Sequence, residues 1–249
     1  MKMNNMNMKQ TTVMVLSVLM ALSSCRKDDM SSGQIELTLD GTFEITEVTK
    51  SQISDYTGLP SASDFTVTIK DGRSSVWTGL LSQYDPAMKL ASGSYTAEAS
   101  YGTEGEEGFD KPWISGSRAF TVSGGQTTSV SIPVKLSNSI IRVECTDQFR
   151  NYFPEYSFKV TTGSNTVIDF PKGETRAAFI DAYRFRIDGI MTSQSGTSKT
   201  FSREYSSGIE PATCYTIRFD VTNVGRLTIS VSFNDALETV DLGEVELNS

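Results

Sequence analysis

The residue of this chain best placed for chemistry is Cys25, which closes the run Leu22-Ser23-Ser24-Cys25 after a short apolar stretch. A thiol in that position reads as a lipidation and cleavage signal: sulfur takes a diacylglycerol in thioether linkage and the peptide bond before it is cut. Other routes to chemistry are narrow. The chain has no histidine, which removes Ser-His-Asp and Cys-His catalysis and every His-ligated metal site. Beyond Cys25 only Cys145 and Cys214 remain, too few for a Cys-rich zinc site. No phosphate-binding glycine loop, dinucleotide fingerprint, HExxH or EF-hand loop is present. A pair of carboxylates across a cleft, as in glycosidases, is the enzymatic route left to such a chain. Its acidic residues are scattered on strands and loops, so the chain is read as non-enzymatic and as needing no cofactor.

Residues 1–24 have the parts of a secretory signal peptide. Lys2 and Lys9 form a positive start, Val13 to Leu22 an apolar run of ten residues, and Ser23 and Ser24 are small. Ten apolar residues are too few to span a bilayer, and no later run approaches the roughly 18 that a transmembrane helix needs. Leu-Ser-Ser-Cys resembles the bacterial lipobox, so residues 25–32 are expected to be a lipidated tether. Several acyl chains at about 0.8 kcal/mol per buried CH₂ hold a protein stably on a membrane. Within the tether, Lys27, Asp28 and Asp29 resemble the signal that sends lipoproteins of the Bacteroidota to the outer face of the outer membrane. Without the leader the chain has 20 basic and 30 acidic residues, a formal charge of −10. A surface that acidic repels phosphate backbones, which argues against nucleic-acid partners.

The elements that must carry any site are strands. Short runs of alternating apolar and polar residues, rich in Thr, Val, Tyr and Phe, recur between Gly, Ser, Asn and Asp clusters. They begin at Ile35–Leu39, Phe43–Val48, Phe65–Ile69, Val76–Leu81, Ser94–Tyr101, Ser117–Val122 and Thr128–Leu136. The pattern restarts at Ile140–Cys145, similar in character to the opening strand. It continues through Tyr156–Thr161, Val167–Phe170, Arg176–Phe179, Tyr183–Ile190, Thr200–Tyr205, Cys214–Val221, Leu227–Phe233 and Val240–Leu247, with a hairpin turn at Asn223–Gly225. A short helix is expected near Met88 or over Asp147–Tyr152. The fold class is therefore all-β: two antiparallel β-sandwich domains, 33–136 and 137–249, with almost no linker. Parity along the strands points Cys145 inward with Ile141 and Val143, and Cys214 away from the Tyr215, Ile217 and Phe219 face. Opposed facing argues against a disulfide.

Two further features bear on ligands. Glu104 to Asp110 is the one local acidic cluster; it lacks the ligand spacing of a Ca²⁺ loop and reads as a solvated connection. Trp77, Tyr101, Phe109 and Trp113 are candidates for an aromatic platform under sugar rings, or else are core residues.

Gly93-Ser94-Tyr95-Thr96-Ala97-Glu98-Ala99-Ser100-Tyr101-Gly102, followed by Phe109-Asp110-Lys111-Pro112-Trp113, Gly116, Phe120-Thr121-Val122 and Gly125-Gln126-Thr127-Thr128, resembles a surface lipoprotein family of gut Bacteroidota with no assigned activity. More distantly it is similar to fimbrillin-like proteins with two transthyretin-like or immunoglobulin-like sandwiches. The resemblance implies a lipid-anchored outer-membrane protein serving adhesion or associated with fimbriae, with a surface protein or a glycan as partner. Fimbrillins that polymerise are cut at a basic residue after the first strand, and here no Arg lies between Arg26 and Arg73. That favours an anchor, tip or stand-alone module over a stalk subunit.

Overall fold

The structure, a computed structural model, describes residues 31–45, 51–221, 226–233 and 236–244. The leader, Cys25, the Lys27-Asp28-Asp29 tether, the end of the Phe43–Val48 strand, the Asn223–Gly225 turn and the end of the last strand lie outside them. The first half runs β1 (Ser32–Thr42), β2 (Glu44–Ile45), β3 (Ser51–Gln52), β4 (Thr66–Asp71) and β5 (Ser74–Leu80). It continues through β6 (Leu90–Ala91), β7 (Gly93–Tyr101), β8 (Gly108–Phe109), β9 (Ile114–Val122) and β10 (Thr127–Leu136). The second half has β11 (Ser139–Cys145), α1 (Asp147–Tyr152), β12 (Glu155–Thr162), β13 (Val167–Pro171) and β14 (Ala178–Ile180). It ends with β15 (Phe185–Thr192), β16 (Ser198–Tyr205), β17 (Cys214–Val221), β18 (Arg226–Phe233) and β19 (Ala236–Glu244). The all-β expectation holds. Of the two helix positions, Asp147–Tyr152 is the helix, capped by Thr146 Oγ1 accepting from Phe149 N at 3.1 Å. The chain before Met88 makes a turn instead, closed by Met88 N donating to Asp85 O.

Alternation explains the first half directly. In β10, Val130, Ile132, Val134 and Leu136 are buried while their neighbours face out. Seven strands pair in the order β5-β4-β7-β9-β10-β1-β6. β9 and β10 meet only at Lys135–Ser115 and Leu136–Ile114, so the sheet folds over at that corner and closes on its own apolar face. Gly116 makes the corner: a Cβ there would stand 1.7 Å from the Pro133 carbonyl oxygen, a distance no side chain tolerates. Ile35, Val67, Ile69, Ala97, Ile114 and Ile132 fill the space between the layers.

The second half, joined by β8 from the first, stacks the sheet β19-β18-β17-β11-β14-β8 on the sheet β13-β12-β15-β16. Its core is aromatic. Phe158 stacks on Phe219 at 4.1 Å between centroids, and Phe149 of α1 tilts against both. Two pairings depart from the antiparallel expectation. β1 runs parallel to β10 over nine residue pairs, and β11 runs parallel to β17 from Ile140–Cys214 to Cys145–Phe219. Alternation states which face of a strand is buried and is silent about its direction. The restart of pattern at Ile140 nevertheless has a counterpart here, since β1 and β11 are each bound in parallel to a later strand of their own half.

One wall serves both cores. Ile141, Ala178, Ile180, Tyr215 and Ile217 face the second core, while Ile140, Phe179 and Cys214, on the same three strands, face the first. Strands covered on both faces read as continuous apolar runs, and Ala178–Ile180 is buried at every position. The join is also hydrogen-bonded. Buried Asn138 accepts from Trp113 N at 3.2 Å, donates to Lys111 O at 3.0 Å, and its carbonyl accepts from Ala212 N at 3.0 Å.

Candidate functional site: a free strand flank beside β11

β11 is paired to β17 along its length but to β14 only through Ser139, Ile140 and Ile141. Successive residues of a strand aim their N–H and C=O groups at opposite flanks. Ile140 N donates to Thr213 O and Thr146 N to Phe219 O, so the even-numbered residues bond toward β17. Val143 and Cys145 therefore direct their backbone groups to the other flank, where β14 has ended. The Cys145 carbonyl is met there by the Arg150 guanidinium.

The segment leading into β14 does not extend the pairing, because Glu174 folds it into a tight turn. Its Oε1 accepts from the backbone N–H of Thr175 (3.0 Å) and Arg176 (2.9 Å) and from Arg176 Nε (3.1 Å), and Oε2 accepts from Arg176 Nη2 (2.9 Å). The Arg176 side chain, then these backbone donors, hold the Glu174 carboxyl down at about 2. The gap left between this turn and β11 is a cleft of about 400 Å³. Tyr156, Phe158 and Phe170 line it, with Arg142, Glu144 and Arg150 among its polar residues. Arg142 pairs with Glu144 at 3.1 Å and Arg150 with Asp147 at 2.6 Å, so the polar side is close to charge balance. Burial, opposed by Arg150 and Tyr156, pushes the Cys145 thiol up to about 12, which leaves it protonated and a poor nucleophile. Among the described residues no three His, Cys, Asp or Glu gather as a metal site. What the cleft offers is main-chain hydrogen bonding beside an aromatic floor, the requirements for holding an extended polypeptide.

The acidic connection is exposed at Glu104, Gly105 and Glu106, as expected of a solvated loop, and docked after them. β8, at its end, pairs with β14 through Phe109–Ala178 and Gly108–Phe179. Glu107 Oε2 accepts from Thr162 Oγ1 at 2.6 Å and from the Ser164 hydroxyl, and its Oε1 accepts from Asp181 N at 2.9 Å. Burial, then the charges of Glu107 and Glu104, push the Asp181 carboxyl up. Arg176 lies 4.3 Å over the Phe109 ring, so one side chain braces both the cleft wall and the docked arm. A stretch of Gly and Glu has the composition of a loop, and only the partner strand reveals its role.

Residues 31–248 match the family profile described as domain of unknown function DUF4493. The chain belongs to that family. The resemblance read from its sequence is thereby met at family level. No curated protein matches this DUF4493 chain. Several solved structures are similar to it at low identity. A Bacteroides thetaiotaomicron protein provisionally described as polysaccharide-binding is 11% identical with TM-score 0.46, over 84% of this chain and 98% of that one. A Bacteroides ovatus protein provisionally described as a cell adhesion protein is 10% identical with TM-score 0.45, over 86% and 99%. The fimbrial anchor protein Mfa2 of Porphyromonas gingivalis is 10% identical with TM-score 0.39, over 83% and 98%.

The four aromatic candidates of this DUF4493 protein go to different places. Trp77 meets Tyr84 edge-on at 5.0 Å, Tyr101 lies 5.8 Å from Phe65, and Phe109 packs on Phe170 at 5.2 Å. Trp113 alone of the four lines a shallow groove on the outer face of the first sheet. Cys145 and Cys214 form no disulfide; the first packs against the second core and the second is buried in the first, as their parity requires.

Proposed function

We propose that this protein is a lipid-anchored adhesion or fimbria-associated module of the outer membrane surface. It receives an extended segment of a protein partner along the free flank of β11. The observation carrying the reading is that Val143 presents its N–H and C=O, and Cys145 its N–H, to a cleft with an aromatic floor, the Cys145 carbonyl being held by Arg150. An added strand finds hydrogen bonds there, and an apolar side chain finds a pocket. Cys25 would hold the lipid, with Lys27, Asp28 and Asp29 directing export. The seven positions from Cys25 to Ser32 reach at most about 25 Å, which keeps the module close to the membrane.

The test uses cells displaying the full chain, compared with Cys25→Ala and Val143→Pro. Cys25→Ala should lose incorporation of an alkyne-labelled fatty acid and leave the membrane fraction. Proline at 143 removes an N–H that β17 does not use, so the ladder survives. Val143→Pro should keep its surface abundance and lose adhesion to host-cell or fimbrial surfaces. Adhesion unchanged in a properly displayed Val143→Pro protein sinks the β11 docking site; lipid label retained in Cys25→Ala sinks the anchor.

A further inference from the structure

The outer face of β4, β7 and β9 carries a polar groove remote in kind from the β11 cleft. Strand register sets Thr66 beside Ser100 and Ser100 beside Ser115. One rung along it sets Thr68 beside Glu98 and Glu98 beside Ser117. The result is a ladder of five hydroxyls and one carboxylate across three strands. Trp113 and Glu104 belong to the same groove, which encloses about 420 Å³. Two lining glycines are fixed by close approach. Gly116 has been described; Gly102 has φ +81° and would place a Cβ 2.2 Å from the Pro112 carbonyl oxygen. The Trp113 backbone is tied to Asn138 and Ser137, so the indole is carried on a rigid support.

The hydroxyls are only partly used. Ser115 shares a 2.7 Å hydrogen bond with Ser137, and Thr68 accepts from Thr78 at 3.2 Å. Those of Thr66, Ser100 and Ser117 have no protein partner among the described residues. Both Glu98 oxygens face Lys70 Nζ, at 2.8 and 2.7 Å, which orients the carboxylate and balances its charge. Backbone groups on a sheet face are spent in the ladders, so recognition here falls to side chains, unlike at a strand flank.

We infer that this groove binds a neutral oligosaccharide, with a sugar ring against Trp113 and its hydroxyls paired to the ladder. A pyranose supplies an apolar C–H face for an indole. Its hydroxyls both donate and accept, matching Ser and Thr hydroxyls that do the same and carboxylates that accept. A uronate or phosphorylated sugar would bring its charge against Glu104, the groove carboxylate that Lys70 does not neutralise.

Titration calorimetry on the full chain in detergent micelles tests this. The probes are hexasaccharides of glucose, mannose, xylose and galactose, with hexagalacturonate as the charged comparison. At least one neutral hexasaccharide should bind, and hexagalacturonate should not. Trp113→Ala should weaken binding about tenfold. Ser117→Tyr, which fills the groove from an exposed position without touching the core, should do likewise. Trp77→Ala, outside the groove, should leave binding unchanged. Circular dichroism of each variant establishes that it is folded. The inference is overturned if no neutral hexasaccharide binds at millimolar concentration, if hexagalacturonate binds as well as the neutral sugars, or if Trp113→Ala and Ser117→Tyr both bind normally. Val143→Pro should bind sugar as the unmodified chain does, which separates this site from the β11 cleft.

Discussion

Phe179→Ala tests the claim that one wall closes two cores. Phe179 belongs to β14, in the second half, yet its side chain is fully buried in the first core beside Ile140, Ala177 and Cys214. Its strand cannot shift to close the void, because Ala178 and Ile180 are committed to the opposite core and to pairing with β11 and β8. A Phe→Ala change at such a site costs about 3–5 kcal/mol. At about 2–4 °C per kcal/mol for a chain of this size, the melting temperature should fall by roughly 6–20 °C. Both tryptophans, Trp77 and Trp113, are in the first half, so fluorescence reports that half alone while circular dichroism reports the whole. The substitution should lower both midpoints together, although it is made in the second half. If the fluorescence midpoint falls while circular dichroism keeps a separate transition at the parent midpoint, the shared wall is not an energetic link. A total loss below about 1 kcal/mol would equally show that the cavity is repaired, contrary to the packing argument.

Other consequences follow from the same contacts. Glu107→Ala strands the Asp181 N–H and the Thr162 hydroxyl and should cost about 2–4 kcal/mol in urea unfolding, with Glu107→Gln recovering part; a loss under about 0.5 kcal/mol would mean that water replaces the carboxylate freely. Asp181→Asn acts in the opposite sense. A carboxyl whose folded pKa is raised costs stability above that value, and the cost vanishes as pH falls below its unfolded value. The variant should therefore melt higher than the parent at neutral pH, with the difference closing through the acid carboxylate range. Cys145, half-buried and raised to about 12, should resist iodoacetamide at pH of about 8 in the native protein and react readily once it is denatured; fast native labelling at Cys145 would contradict the raised pKa.

Much of this architecture is written in strand parity. The Val130-Ile132-Val134-Leu136 series and the opposed facing of Cys145 and Cys214 follow from a period of two, because a half-buried strand leaves its side chains no other arrangement. The run Ala177-Ala178-Phe179-Ile180 already signals a strand covered on both faces. Direction is another matter: β1 and β11 are parallel to their partners for reasons of connection, which hydropathy does not encode. The docking of β8 is hidden by Gly and Glu residues that read as loop. Phe109 is carried by β8 to another sheet, while Tyr101 stands opposite Ile114 across the β7–β9 ladder and so lies beside Trp113 but on the other face. The free flank of β11 depends on where β14 stops, and that is decided by the Glu174 turn rather than by anything in β11.

The parallel pairing of β1 also sets an order of assembly. Gln34 is matched with Thr127, a separation of 93 positions, and the core behind it is closed by Phe179 and Cys214. A chain emerging from its N-terminus therefore offers β1 little beyond a two-residue contact with β6 until β10 has been made. The first half stays unsealed until β17 arrives. Contacts this distant slow folding. The same delay leaves the Ile35-Leu37-Leu39 strand exposed to wrong partners, so the first of the described strands to be synthesised is among the last to be protected.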